Sequence, residues 1–146
     1  MKKVRLYSDG ACSKNPGPGG YGVILEYKGH EVELGGGEAI TTNNRMELMG
    51  VIIGLEALKE PCSVTITTDS KYVTDSFNKG WIDSWQKNNW KKSNGKKVLN
   101  QDLWQRLLDA AKIHKIKFEH IMGHSGHPYN ERCDKLAVKE REKFEI

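Results

Sequence analysis

The sequence predicts an α/β fold: a mixed five-stranded sheet, made of a three-stranded antiparallel meander plus parallel strands, with helices on both faces. Two observations carry that expectation. Three strand-like stretches, KVRLYS, YGVILEY and HEVELGGG, follow one another with turn residues between them before any helical pattern begins. A long apolar helix then leads straight into another strand, SVTITT, and a strand–helix–strand connection of this kind is a crossover that sets the new strand parallel to a member of the first sheet.

Taken in order, residues 3–8 alternate as a strand that ends at Asp9-Gly10. The run ACSKNPGPGG then packs Asn-Pro, Pro-Gly and Gly-Gly into a tight connection before YGVILEY, and a turn at Lys28-Gly29 leads into HEVELGGG. From Asn44 to about Lys59, apolar residues at 48, 49, 51, 52, 53, 55 and 58 predict a helix buried on much of its surface and stopped by Glu60-Pro61. Residues 63–68 form the next strand, ending at Asp69-Ser70. A short helix runs to about Asn78 with Gly80 just beyond its end. Trp81, Ile82 and Trp85 suggest another turn or two, 102–112 a further helix, 116–121 the last strand, GHSGHPYN a loop and 130–143 a closing helix. The expected order is βββαβααβα, with no internal repeat and no low-complexity linker, so residues 1–146 read as one domain.

Composition narrows the class. Hydrophobic residues at 37% and charged residues at 29% suit a soluble globular chain, and no stretch has the length and apolarity of a signal peptide or a membrane span. A cytoplasmic monomer without an obligate protein partner is the expectation. Three cysteines, Cys12, Cys62 and Cys133, with no C-x-x-C pair argue for reduced thiols over a disulfide framework or a zinc site. The net charge of +4 is unevenly placed: residues 79–97 hold six lysines against the single acid Asp83, which by itself exceeds the total for the whole chain. Such a segment fits a polyanionic partner, or else a solvated lysine-rich loop.

Two strands end alike, in Tyr7-Ser8-Asp9-Gly10 and Thr67-Thr68-Asp69-Ser70. As parallel neighbours they would lie roughly 4.8 Å apart and bring Asp9 and Asp69 to one sheet edge, the side of an open α/β sheet where ligands gather. Two carboxylates so placed repel each other unless a cation offsets them. Glu47, placed in the first turn of the long helix, and Asp134, near the start of the closing helix, are candidates for the same group. Each acid also has a plainer role open to it. Asp-Gly and Asp-Ser are common turn formers, Glu47 can complete a capping arrangement with Asn44, and Asp134 can complement a helix dipole. Carboxylates without a cysteine or histidine cluster favour Mg2+, with Mn2+ possible, over zinc; two such ions about 3.5–4 Å apart clamp the attacking and leaving oxygens of a phosphodiester displacement.

The stretches SDGACSKNPGPGGYG, TTNNRMELMG, TTDSKYV, the Trp-rich basic segment, NQDLW and GHSGHPYNERCDKLA stand in series over nearly the whole chain, and together they resemble a bacterial type 1 ribonuclease H. The resemblance implies a ribonuclease H-like fold and a magnesium-dependent endonuclease that cuts the RNA strand of an RNA/DNA hybrid, leaving 3′-hydroxyl and 5′-phosphate ends. It further implies that Asp9, Glu47, Asp69 and Asp134 hold the metals, and that His124, otherwise a plain surface imidazole, moves protons or helps product leave, on a loop that Gly123 and Gly126 allow to move. His127 receives no role beyond shaping that loop with Pro128.

For the substrate, the resemblance points to Asn15, Asn43 and Asn44, with backbone groups near Gly10 and Cys12, as contacts to the RNA 2′-hydroxyls, which amides suit because they both donate and accept. The same asparagines are ordinary turn and cap residues. Trp81 matches an aromatic that packs on deoxyribose, Lys87, Lys91, Lys92, Lys96 and Lys97 a basic protrusion along the DNA strand, and Thr42 with Asn100 a pocket for a DNA phosphate. Trp85, Trp90 and Trp104 read as core or loop anchors. Ile40 departs from the family pattern, standing where relatives carry an arginine beside that pocket, and weaker phosphate grip is expected there. A hybrid-binding module without catalysis and a metal-dependent DNA nuclease on the same fold are the alternatives. Clustered acids argue against the first, and the asparagines with the basic protrusion argue against the second.

Overall fold

The computed structural model describes residues 1–123 and 126–145. Among them the elements run β1 (Lys2–Cys12), β2 (Gly17–Tyr27), β3 (His30–Thr41), α1 (Asn43–Glu56), β4 (Cys62–Thr68), α2 (Lys71–Asn78), α3 (Trp81–Lys87), α4 (Gln101–Ala111), β5 (Lys115–His120) and α5 (Pro128–Glu142). The five-stranded sheet has the order β3-β2-β1-β4-β5, with β1–β2 and β2–β3 antiparallel and β1–β4 and β4–β5 parallel. The mixed sheet, the meander and the crossover are thus as the sequence predicts.

Three details differ. The meander strands are longer than their apolar alternation shows, because glycine-rich ends carry no alternation yet still pair: Gly19 and Gly20 of β2 lie opposite Cys12 and Ala11 of β1. The turns around Trp81 form a separate helix, so the order is βββαβαααβα; Gly80, at φ +73°, both follows α2 and precedes α3. The closing helix begins at Pro128, where proline sits in the first turn and the His127 ring accepts the Asn130 amide at 3.3 Å. His127 therefore caps a helix.

Alternation along the strands separates two packed layers. Val4, Leu6, Val23 and Leu25 point to one face and meet Leu48, Val51, Ile52 and Leu55 of α1 in the main core, to which Val73, Ile82, Trp104 and Leu107 bring α2, α3 and α4. Tyr7 and Ile24 point to the other face and bury against Cys133 of α5. That second layer is close: a Cβ placed on Gly22 would stand 2.5 Å from both the Cys133 carbonyl oxygen and the Leu136 Cβ, so only glycine lets α5 lie this near β2. At the start of α5, Arg132 bridges Glu31 and Glu33 of β3 at 2.9 Å each, and Tyr129 donates to Glu31 at 2.7 Å while stacking on Tyr7. These contacts set the helix that carries Asp134. Cys12, Cys62 and Cys133 are free, in line with the reduced thiols expected.

Candidate active site

Parallel pairing of β1 with β4 ends at Tyr7–Thr67. Beyond that pair β4 runs one residue further, to Thr68 against β5, whereas β1 continues to Cys12 against β2 alone. Asp9 therefore lies inside a strand instead of at a strand end, which corrects the expectation; the two chains part there because Asp69-Ser70 turns into α2, where the Ser70 hydroxyl accepts the Val73 amide at 3.3 Å. The consequence drawn from matched ends survives, since Asp9 and Asp69 still follow paired residues by the same interval.

Glu47 also needs a correction. Thr42 caps α1, its hydroxyl accepting the Arg45 amide at 3.2 Å, so the helix starts earlier than expected and no acid lies in its first turn. Asn44 is inside the helix, Glu47 is a turn further on, and the capping role weighed for the pair is not the one seen. Glu47 instead reaches the sheet: its Oε1 accepts the Gly10 amide at 3.1 Å, while Asp9 Oδ1 accepts the same amide at 3.0 Å.

Asp9, Glu47 and Asp69 each bring a carboxylate oxygen within 4.8 Å of the others. Asp9 is 6% exposed and Glu47 4%, and Glu47 Oε2 has no hydrogen-bond partner among the described residues. Burial first, then the charges of Asp69 and Asp134, pushes the Asp9 carboxyl up to about 8. Burial and the charge of Asp9 raise Glu47 well above the usual range. A divalent cation fits this group: hard oxygen donors, a buried oxygen lacking a donor, and repulsion that a positive charge would relieve. Asp134 is not within the 4.8 Å triple but lines the same cleft of about 390 Å³, together with Gly10, Asn43 and Asn44.

Sequence reasoning missed Lys71 and Tyr72, which also line this cleft. The TTDSKYV stretch contains both, yet nothing in residue type separates them from an ordinary first helical turn. Gly123 has a reason to be glycine other than mobility: a Cβ there would be 2.8 Å from Asp69 Oδ2. His124 lies outside the described residues.

The substrate candidates divide into groups. Asn15 Oδ1 accepts the Asn43 amide at 3.0 Å, joining the β1–β2 connection to the start of α1, and the Cys12 thiol donates to the Lys14 carbonyl beside them. Trp81 is 40% exposed and lines a second cavity, of about 530 Å³, with Trp85, Lys91, Lys92 and Tyr72. Tyr72 thus stands between the acidic cleft and this aromatic one. Lys87, Lys91, Lys92, Lys96 and Lys97 are all exposed. Residues 91–97 form a small hairpin, with the Lys92 amide donating to the Lys96 carbonyl at 2.8 Å and the Val98 amide to the Trp90 carbonyl at 3.0 Å, so Lys91, Lys92, Lys96 and Lys97 are presented on paired backbone, while Lys87 closes α3. Trp104 is fully buried and Trp85 and Trp90 pack against the same core, as anchors. Thr42 and Asn100 meet through Arg45, whose guanidinium donates to Asn100 Oδ1 at 3.2 Å. Ile40 is 80% exposed and lines a surface hollow with Lys14, Pro18 and Phe144.

Comparison with known proteins bears on this geometry. The RNase H family profile matches residues 1–142. A ribonuclease H of Desulforamulus reducens is 54% identical over 138 residues, covering 94% of this chain and 87% of that protein, and one of Caldicellulosiruptor saccharolyticus is 57% identical over 137 residues, covering 94% of each. Among solved structures, LC9-RNase H1, described as a type 1 RNase H with the type 2 active-site motif, superposes with a TM-score of 0.87 at 33% identity, over 99% of this chain and 74% of that one. LC11-RNase H1, solved in complex with an RNA/DNA hybrid, shares the fold, with a TM-score of 0.70 at 21% identity over 96% of this chain and 97% of that one. A profile spanning nearly the whole length, and relatives more than half identical over it, establish that the chain belongs to the ribonuclease H family.

Proposed function

We propose that this protein, acting as a single domain and a monomer, hydrolyses the RNA strand of RNA/DNA hybrids endonucleolytically, with magnesium as its metal, leaving 3′-hydroxyl and 5′-phosphate ends. The observation that carries the reading is the buried Asp9–Glu47–Asp69 group, in a family of hybrid-cutting nucleases, sharing a cleft with Asp134 and two asparagines. Carboxylates this close are a cost to the fold and a repulsion to phosphate unless cations join them. A binding module has no use for that arrangement.

The four acids would hold the metal, with Asp9 and Glu47 fixed by the shared Gly10 amide and Asp69 by the β4 terminus. Bound divalent ions supply Lewis-acid stabilisation of the charge that develops on the phosphodiester oxygens during displacement. The chain's own part is placement. Asn15, Asn43 and Asn44, with the backbone at Gly10 and Cys12, offer donors and acceptors for 2′-hydroxyls, which is the group that distinguishes RNA from DNA. Trp81 offers its exposed ring to a deoxyribose, and Lys87, Lys91, Lys92, Lys96 and Lys97 offer charge to the DNA phosphates on the far side of Tyr72. His124 is assigned the proton-moving or product-release role that the family resemblance implies. Among the described residues no helix is long and apolar enough to cross a membrane.

The test is cleavage of a hybrid labelled on its RNA strand, with magnesium and with chelator, beside matched duplex DNA and duplex RNA. Magnesium-dependent cutting of the hybrid's RNA strand alone is the expected result. Tight hybrid binding without cutting would overturn the catalytic reading, and cutting of duplex DNA would overturn the substrate.

A further inference from the structure

We propose that the open part of the sheet face on which α5 lies binds the backbone of a single nucleic-acid strand continuing from the hybrid, held by Lys3 and Arg5 of β1 and Lys115 and Lys117 of β5 over a floor of Ser63 and Thr65 of β4. Continuation from a hybrid rests on the function proposed above. Alternation decides which residues share the face. Val4, Leu6, Val64, Ile66 and Phe118 point into the main core, so Lys3, Arg5, Ser63, Thr65, Lys115 and Lys117 point the other way. Strand register sets them in two rows: Lys3, Ser63 and Lys115 lie side by side, and so do Arg5, Thr65 and Lys117. On this face α5 packs over β1, β2 and β3, and all four cations are exposed.

Each row offers an anion a cation from either side and a hydroxyl from below. The two cations of a row start about 9.6 Å apart at the backbone, and the rows repeat about every 6.7 Å along the strands. Such a width seats one phosphodiester backbone and not the two of a duplex. The Ser63 and Thr65 hydroxyls have no hydrogen-bond partner, and Lys3 and Lys115 no ion pair, among the described residues. Two acids border the patch and neither closes it. Glu26, opposite Arg5, accepts the Gly29 amide at 3.4 Å, and Glu119 meets Lys117 at 3.6 Å in a pair open to water, which is weak. A polar floor suits a polyanion gripped by its backbone, whereas an acidic peptide held firmly calls for an apolar pocket as well. The face also lies on the way out of the acidic cleft: Asp69 follows Thr65 by four residues, roughly 13 Å, and Asp9 continues the Lys3 and Arg5 column of β1, with Tyr7 and Thr67 between.

Fluorescence anisotropy of a labelled oligothymidylate, over a salt series and without magnesium, tests the face apart from catalysis. Replacing Lys3, Arg5, Lys115 and Lys117 together with alanine is expected to weaken binding about tenfold and to lower the salt slope by about three, from four contacts at roughly 0.7 each on a single strand. Thr65→Lys, which adds a cation to the middle of a row, should tighten binding about threefold. In cleavage assays with magnesium, a hybrid carrying a single-stranded extension should show a KM about fivefold below that of a blunt hybrid for the wild type, and no such advantage for the quadruple variant. Oligothymidylate affinity unchanged in the quadruple variant, or weakened by Thr65→Lys, would overturn the proposal. Equal rises in KM for blunt and extended hybrids would make the face part of the hybrid's own path and overturn the single-strand assignment. Polyglutamate bound here more tightly than the oligonucleotide at equal salt would give the face to an acidic protein instead. A wild type that binds the oligonucleotide on this face but cuts no hybrid would defeat the function proposed above and leave the strand site standing.

Discussion

Glu47 accepts the Gly10 amide at 3.1 Å across 37 positions of sequence, tying the second turn of α1 to the place where β1 parts from β4. Asp9 accepts the same amide, so a single backbone donor serves two buried carboxylates. Hydrogen bonding is therefore too scarce to offset the charge gathered there.

Asp9→Asn puts a neutral amide of the same shape where the metal-free fold keeps a protonated carboxyl, and it takes away the negative charge that would hold a cation. The metal-free protein should become more stable, on the order of 1–3 kcal/mol, since the fold no longer has to keep a buried carboxyl protonated that the unfolded chain would ionise. Cleavage should fall by roughly a thousandfold or more, the scale of several kcal/mol of lost charge stabilisation. Thermal unfolding with and without magnesium, beside hybrid cleavage, checks both halves, and near-normal turnover would remove Asp9 from the site.

The raised Asp9 carboxyl makes stability depend on pH in a defined direction. With a folded value of about 8 against an ordinary 3.8, the native state keeps a proton that the unfolded chain releases between these limits. The native state binds more protons there, so metal-free stability should fall as pH rises from about 4 to 8 and then level off. Magnesium, which needs the ionised form, should bind more tightly over the same rise and release protons as it binds. Denaturant midpoints at several pH values and calorimetry in two buffers of different ionisation enthalpy would reveal either trend, and a metal-free stability independent of pH in this window would contradict the assignment.

Gly22→Ala tests how far the site depends on the close approach of α5. The added methyl meets the Cys133 carbonyl and the Leu136 Cβ, and the helix that carries Asp134 must move. Destabilisation of about 1–3 kcal/mol is expected from overpacking, with a higher magnesium requirement for cleavage. Unchanged magnesium dependence in a destabilised variant would show that Asp134 has little part in holding the metal.

Replacing Lys87, Lys91, Lys92, Lys96 and Lys97 with alanine should flatten the salt dependence of hybrid binding and raise KM, with less effect on kcat. Lys91, Lys92, Lys96 and Lys97 lie on paired backbone anchored by Val98 and Lys87 closes α3, so the local structure should persist and the loss should be one of charge. A loss confined to kcat would contradict their place along the DNA strand.

Ile40→Arg should tighten hybrid binding at fixed salt, because the side chain is exposed and nothing is displaced by the longer residue. Equal affinity of the two proteins would show that the substrate does not reach this edge of the sheet.

Residue pattern alone determined the order of the strands and of every helix but the separate one at Trp81–Lys87, the crossover that makes the sheet mixed, the four acids as candidates and the concentration of positive charge between Lys79 and Lys97. These are properties of local periodicity and composition, which the chain carries before it folds. It did not reveal that β1 runs through Asp9, because glycine-rich strand ends have no alternation to read and pair only once a partner is present. Nor could it place Glu47 beyond the first turn, since Thr42 and Asn44 are both good caps and the choice depends on how α1 packs. Only the tertiary structure decided that Asp9, Glu47 and Asp69 lie within 4.8 Å of one another, that Tyr72 stands between two cavities, and that Arg45 joins Thr42 to Asn100. Those relationships join residues far apart in sequence, and their cost or value arises from burial and distance, quantities that exist only after the core has formed.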